Sequence, residues 1–239
     1  MTDTVLRIGD AEVAPGSSAT IDLPMASLYS HTPMTMPVHV MRGKREGPCL
    51  FISAALHGDE INGVEIIRRL LRLPLLKKLR GTLLAIPIVN VYGFVSRSRY
   101  LPDRRDLNRS FPGSERGSMA ARLAELFLKE IVDKCNYGID LHTAAVHREN
   151  LPQIRANLDD PETARIAHAF HVPVLLNSNI RDGSLRQVAA ERGIPILLYE
   201  AGEALRFDEH SIRAGVKGIV TVMRELDMLP AASRPRKRN

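Results

Sequence analysis

The chain of 239 residues contains no tryptophan and few other aromatic residues, namely five tyrosines and six phenylalanines. Single-stranded nucleic acids are held by aromatic side chains on which bases stack, so this composition argues against such a groove. The longest apolar run, residues 81–95, is interrupted by Pro87 and Asn90 and is too short to cross a bilayer. Residues 1–10 are polar and lack the apolar core of a secretory signal. We therefore predict a cytoplasmic protein with neither a nucleic-acid nor a membrane partner.

Cysteine is almost as scarce, since the chain has only Cys49 and Cys135. Their separation does not match the spacing of a zinc finger, and two cysteines cannot form a disulfide framework. Cys49 opens a predicted strand, whereas Cys135 closes a predicted helix. We expect both to be reduced thiols.

The net charge of +6 is modest, and four of these charges come from the segment 234–238. Such a segment is more often a solvated, disordered end than a nucleic-acid patch. With 44% hydrophobic and 25% charged residues, the remainder has the composition of an ordinary globular protein. We predict one domain over residues 1–230, with the short N-terminal strands of residues 1–43 included, followed by a basic tail or truncated linker at 231–239. The sequence leaves open whether the protein forms a homo-oligomer.

Hydrophobic patterning predicts alternating strands and helices after a first region of short strands. Strands are expected at 4–8, 19–23, 37–41, 49–56, 82–91, 137–141, 172–176 and 194–199. Helices are expected at 60–73, before Pro74, and after four residues that can cap a helix N-terminus: Ser118, Asp160, Ser184 and Asp208. This alternation indicates an α/β fold with a mostly parallel sheet covered on both faces. The polar stretches 92–117 and 143–158 exceed ordinary loop lengths, which makes them candidate functional segments.

The first candidate site follows the strand at 49–56, where His57 and Glu60 lie at the start of a helix. In open α/β sheets, ligands bind at the carboxyl ends of the strands. An imidazole and a carboxylate three residues apart can face one metal ion. Taken singly, His57 could be a surface residue, and Glu60 an ordinary acid near a helix N-terminus.

A second histidine, His142, follows the strand at 137–141, and adjacent parallel strands would bring it to the same edge. Two histidines and one glutamate form a catalytic zinc ligand set that leaves a position for water. The helical metalloprotease motif H-E-x-x-H is absent, which excludes that class. Glu200 follows another buried strand and could be the general base, although it could also be merely solvated.

The long loop 92–117 supplies Arg99 and the segment Asp106-Leu-Asn-Arg109. Arginines can hold a substrate carboxylate through two hydrogen bonds or stabilise a developing oxyanion. In the alternative interpretation, Asp106 is a loop cap and Arg109 a surface cation. The functional interpretation gains weight because all these clusters fall at predicted strand ends or in the adjoining loop.

Taken together, four motifs resemble the succinylglutamate desuccinylase/aspartoacylase family, which is similar to the zinc carboxypeptidases. They are His57-Gly-Asp-Glu60, Asp106-Leu-Asn-Arg109, Asp140-Leu-His-Thr143 and Tyr199-Glu-Ala-Gly202, and the resemblance runs from about residue 34 to about residue 227. It implies a three-layer α/β/α fold with a mixed, mostly parallel sheet. It also implies one zinc ion per chain, bound by His57, Glu60 and His142.

The same resemblance assigns roles to other residues. Glu200 would be the general base, and Arg99 would polarise the scissile carbonyl. Arg97 is the alternative to Arg99, because the following segment is longer here than in aspartoacylase. Asn108 and Arg109 would hold the substrate carboxylate, and Asp106 would orient His57. The segment from His142 to Arg155 is more similar to a bacterial branch of the family, and its pocket-lining candidates are Arg148, Asn150 and Arg155.

Members of that family usually carry a further β-rich C-terminal domain. This sequence stops just past its last predicted helix, so we expect it to be either cut at the linker or a minimal form without that domain. The activity that the resemblance implies is zinc-dependent hydrolysis of the amide bond of an N-acyl amino acid. Two alternatives are a zinc carboxypeptidase acting on short peptides and a non-catalytic zinc-binding module.

Overall fold

The computed structural model describes residues 5–28, 30–178 and 182–232. The basic segment 234–238 and residue 4 of the first predicted strand lie outside the described residues. The strands are β1 (Leu6–Ile8), β2 (Ala11–Val13), β3 (Ser18–Pro24), β4 (Thr35–Arg42), β5 (Arg45–Ala54), β6 (Arg80–Ile86), β7 (Tyr137–Ala144), β8 (Asn150–Ala156), β9 (Val174–Asn177) and β10 (Ile196–Glu203). The α-helices are α1 (Asn62–Leu71), α2 (Val91–Ser96), α3 (Met119–Glu130), α4 (Pro161–Ala169), α5 (Leu185–Glu191) and α6 (Glu209–Glu225).

Eight of these strands form one sheet in the order β3-β4-β6-β5-β7-β10-β8-β9, and β1 and β2 form a separate hairpin. Four neighbouring pairs are parallel: β6/β5, β5/β7, β7/β10 and β8/β9. The remaining three pairs are antiparallel. The prediction of a mixed, mostly parallel sheet is therefore confirmed.

Helices cover both faces of the sheet and bury two hydrophobic clusters. One cluster packs α3 and α5 against one face through residues such as Phe127 and Val188. The other packs α1, α4 and α6 against the opposite face through residues such as Ile67, Ile166 and Ile219. This arrangement is the expected three-layer α/β/α architecture. Within the described ranges, no helix is both long and apolar enough to span a membrane.

The predicted helix caps are confirmed by hydrogen bonds from the first turn of each helix. Ser118, Asp160, Ser184 and Asp208 each accept one from the backbone N–H three residues further on. These short polar side chains satisfy N–H groups that have no partner within the helix.

Two predicted segments were wrong. The strand expected at 82–91 ends at Ile86, and the chain then forms helix α2 with Asn90 as its cap. Pro87 has no N–H to donate to a sheet, which favours this break. The stretch 143–158, expected to lack regular structure, continues β7 to Ala144 and then forms strand β8.

The two cysteines, far apart in the sequence, are close together in the fold. Their Sγ atoms lie 3.3 Å apart, and both thiols are free. Cys49 lies in the first half of β5, and Cys135 follows the turn after α3. Burial raises the pKa of Cys135. Cys49 lies near the middle of β5, whereas His57 follows the end of that strand, so the pair is separate from His57.

Candidate metal centre and active-site cavity

The turn after β5 presents His57 and Glu60 at the carboxyl edge of the sheet. The Glu60 N–H donates to the His57 carbonyl at 3.1 Å, which closes the turn immediately before α1. A Cβ atom on Gly58 would lie only 1.9 Å from the carbonyl carbon of Gly93 in α2. Helix α2 therefore packs directly on this turn, and only glycine fits at position 58.

His142 reaches the same edge because β7 lies beside β5, with Leu141 paired to Ala54. The Nδ1 atoms of His57 and His142 lie 2.7 Å from the two oxygens of Glu60. One donor atom from each of the three residues falls within 4.8 Å of the others, and all three side chains are buried. The structure thus brings the three predicted ligands together. In the sequence, Glu60 precedes His142 by 82 residues and His57 precedes it by 85.

Carboxylates hold the outward-facing nitrogens of both imidazoles. His57 Nε2 lies 3.1 Å from Asp106, and His142 Nε2 lies 2.6 Å from Asp140. Ser53 donates to the other oxygen of Asp140 at 2.7 Å. Imidazoles that bind metals commonly donate their second N–H to a carboxylate, which leaves the first nitrogen free for the metal. The donor set and its supports therefore fit a divalent cation.

The electrostatics of the cluster also favour a cation. Burial alone would raise the pKa of Glu60, but the two imidazoles outweigh it and lower that pKa far below the usual range. Burial opposes protonation of His142, yet the carboxylates of Asp140 and Glu60 raise its pKa well above normal. Three acids thus surround two imidazoles, so positive charge at this centre is stabilised.

Asp140 is a residue whose role the sequence reasoning missed, although it stands two positions before His142. Residues i and i+2 of a strand share one face, and this spacing is the signal that could have found it. Because Asp140 and His142 are both buried, the contact between them is shielded from water.

We predict that Asp140→Asn weakens zinc binding by about 10–100-fold, the range seen when the partner of a metal-binding histidine is lost. Asparagine keeps the size of the side chain but removes the charge that fixes the imidazole. Competition against a chromophoric chelator measures the affinity. Asp133→Asn is the control, because Asp133 contacts Arg192 on the surface. Equal zinc affinity in Asp140→Asn and the wild type would contradict this role.

Glu200 lies in β10 directly beside His142, its partner across the parallel β7/β10 pair. The strand continues to Glu203, so Glu200 lies within it rather than after it as predicted. Asn150 donates to Glu200 at 2.6 Å, and Arg155 forms an ion pair with it at 3.1 Å. Both partners come from β8, the strand that the sequence reasoning missed.

The loop after α2 places its candidate residues around the same centre. Arg99 donates to Glu60 at 3.3 Å and to Asp106 at 3.0 Å. Arg97, its alternative, is exposed at the end of α2 and does not line the polar cavity that opens beside the three donors. Asn108 accepts a hydrogen bond from the first N–H of α5, whereas the neighbouring Arg109 is exposed.

A polar cavity of about 340 Å³ opens beside the three donors. It is rich in cationic side chains, which come from five arginines: Arg99, Arg109, Arg148, Arg155 and Arg186. Arg186 was not predicted. It sits in the first turn of α5 and donates to Ser178 at 2.9 Å. Nothing in its local sequence separates it from an ordinary helix arginine, so only the fold identifies it.

Comparison with known proteins gives a match over most of the chain. The family described as succinylglutamate desuccinylase/aspartoacylase catalytic domain matches residues 46–226. A curated relative, the N-alpha-acetyl-L-2,4-diaminobutyric acid deacetylase of Halomonas elongata, is 30% identical over 134 residues. That match covers 55% of this chain and 39% of the relative, so the chain spans less than half of the relative's length.

Solved structures agree with the fold. A succinylglutamate desuccinylase/aspartoacylase from Rhodobacter sphaeroides superimposes with a TM-score of 0.81 and 27% identity, covering 90% of this chain and 67% of that chain. The product-bound ectoine utilization protein EutE (DoeB) from Ruegeria pomeroyi gives a TM-score of 0.82 at 23% identity, covering 91% and 69%. From the family match, we conclude that the chain belongs to the succinylglutamate desuccinylase/aspartoacylase catalytic domain family.

Proposed function

We propose that this protein is a zinc-dependent hydrolase that cleaves the amide bond of an N-acyl amino acid. The observation that carries the proposal is the convergence of His57, Glu60 and His142 at one point, with Glu200 in the neighbouring strand. Family membership and a curated relative named as a deacetylase support amide hydrolysis. We also expect a cytoplasmic location, which rests on the two free thiols.

His57, Glu60 and His142 would hold one zinc ion per chain through two imidazole nitrogens and a carboxylate. When bound, zinc supplies Lewis-acid chemistry and lowers the pKa of water in the site. Glu200 removes a proton from the attacking water and returns it to the departing amine nitrogen. Arg99 donates to the carbonyl oxygen as negative charge develops there.

The arginine side chains on the wall of the cavity bind the substrate. Asn108 and Arg109 hold a carboxylate of the substrate and so place its carbonyl near the metal. Arg148 and Arg186 extend the positive charge along the wall. Within the part of the chain that the structure describes, two acids, Glu60 and Glu200, line the cavity against its five arginines. We therefore propose an N-acyl amino acid that carries more than one carboxylate.

A panel of N-acyl amino acids tests this function on zinc-loaded protein. We expect N-succinyl and N-acetyl derivatives of acidic amino acids to be cleaved faster than N-acetyl-diaminobutyrate, whose free amine would face the arginines. Short peptides with a free C-terminus form the second arm of the panel. Cleavage of peptides alone would favour a carboxypeptidase, whereas stoichiometric zinc without any turnover would favour a non-catalytic module.

Asn150 and Arg155 act on Glu200 in this proposal, in addition to lining the pocket. Both touch the same carboxylate oxygen, so they fix its direction relative to His142. The resemblance alone assigned them to substrate binding, and the two roles predict different kinetics.

We predict that Arg155→Met lowers kcat about ten-fold with a smaller effect on KM, because a misplaced general base affects the transition state more than binding. Arg155→Lys should recover part of kcat, since the ammonium keeps a donor near Glu200. Arg148→Met is the matched comparison. Arg148 lines the cavity from an exposed position, so its loss should raise KM. Should Arg155→Met raise only KM, its role would be substrate binding instead.

A further inference from the structure

A second cavity, which we call the basic cleft, lies at the opposite end of the sheet. It is formed where β4 ends and where β5 and β6 begin, together with the turn after α1 and the segment after α6. Its volume is about 690 Å³, twice that of the active-site cavity. The ten-residue strand β5 separates the two cavities, a distance of roughly 30 Å.

The cleft concentrates the positive charge of the chain. Among the described residues, one acid, Asp227, and six basic residues line it: Arg42, Lys44, Arg45, Lys77, Lys78 and Arg80. Together with Asp227, these six residues carry a net charge of +5, which nearly equals the +6 of the whole sequence. Clefts lined by one sign of charge focus the electric field and raise the local concentration of counter-ions.

Five of these six side chains have no ionic partner among the described residues. Arg42 donates to the Val13 carbonyl at 2.7 Å. Across residues 5–28, 30–178 and 182–232, the side chains of the other five form no hydrogen bond or ion pair: Lys44, Arg45, Lys77, Lys78 and Arg80. Two arginines elsewhere on the surface are paired instead, Arg69 with Glu209 and Arg165 with Glu225. The cleft therefore holds five like charges together with no ion pair to any of the described residues.

We propose that the basic cleft binds a small anion built of several linked phosphates. Arginine and lysine are the side chains that bind phosphate oxygens most strongly. None of the described residues that line the cleft is aromatic, so they offer no surface on which a nucleobase could stack. Its concave shape suits a compact ligand better than the plane of a bilayer. This inference is independent of the hydrolase activity proposed above.

Calorimetric titration of the full chain with inorganic tripolyphosphate tests the proposal. We expect one ion per chain, with affinity that decreases as salt increases. The triple variant Lys44→Ala/Lys77→Ala/Lys78→Ala should bind at least about ten-fold more weakly, because three charge-assisted contacts are lost. The control Lys129→Ala/Arg213→Ala/Lys217→Ala removes the same charge from exposed positions outside the cleft.

Both variants keep the basic segment 234–238, so a difference between them reports on the cleft. Both also keep every residue of the metal centre, and zinc binding should be unchanged in each. No binding of tripolyphosphate, or equal weakening in the two variants, would overturn the proposal. Binding of an oligonucleotide or of phosphatidylserine vesicles in its place would also overturn it, in favour of a macromolecular partner.

Discussion

Replacing Glu200 by glutamine is expected to lower kcat by about 10²–10⁴-fold, the usual contribution of a general acid–base residue. Glutamine has nearly the same shape and can still contact Asn150 and Arg155, but it cannot take up a proton at neutral pH. Because Glu200 is not one of the three converging donors, zinc should remain at one ion per chain. Steady-state kinetics and metal analysis of the same preparation measure both effects.

Glu203→Gln is a matched control for this prediction. Glu203 lies in the same strand, and its side chain has the same 16% exposure as that of Glu200. It contacts the His147 N–H and Arg206 rather than the cavity. The control should therefore retain kcat within a small factor. Unchanged turnover in Glu200→Gln would remove the general base from the mechanism.

Replacing His142 by alanine is expected to abolish stoichiometric zinc binding and with it the hydrolysis. Loss of an outer partner already costs about 10–100-fold in metal affinity, so loss of a ligand should cost more. The change also leaves Glu60 and Asp140, both buried, without the imidazole that lies between them. Breaking such buried pairs costs about 3–5 kcal/mol of stability, so the free energy of unfolding should fall as well.

His168→Ala is the control for this second prediction, since His168 is exposed on α4 and remote from the cavity. Chelator competition gives the zinc affinity, and urea denaturation gives the unfolding free energy. Asp140→Asn, which retains His142, separates the two effects if His142→Ala is too unstable to load. Full zinc occupancy in a folded His142→Ala protein would exclude this residue as a ligand.

The sequence predicts the convergence of His57, Glu60 and His142 well because it follows from local rules. Apolar runs locate β5 and β7, and parallel neighbours end at the same edge, which brings His57 and His142 together. The helix caps were predictable for a similar reason, because a short polar side chain directly before an amphipathic segment commonly caps the helix N-terminus.

Strand β8 could not be predicted because its polar residues line the cavity rather than pack in the core. Asn150 and Arg155 interrupt the apolar alternation that normally identifies a strand, since both side chains turn towards Glu200. Local pattern and function conflict at such places. Arg186 could not be predicted for a different reason. Its sequence context is ordinary, and only the packing of α5 places it in the cavity.

The measurement that tests the central claim most directly is X-ray absorption spectroscopy at the zinc edge of protein loaded with one zinc ion. The account predicts only nitrogen and oxygen neighbours at about 2.0–2.2 Å, with outer scattering from two imidazoles. The same spectrum of His142→Ala should lose one imidazole or lose zinc altogether. Sulfur scattering at about 2.3 Å would assign the metal to Cys49 and Cys135 and contradict the account.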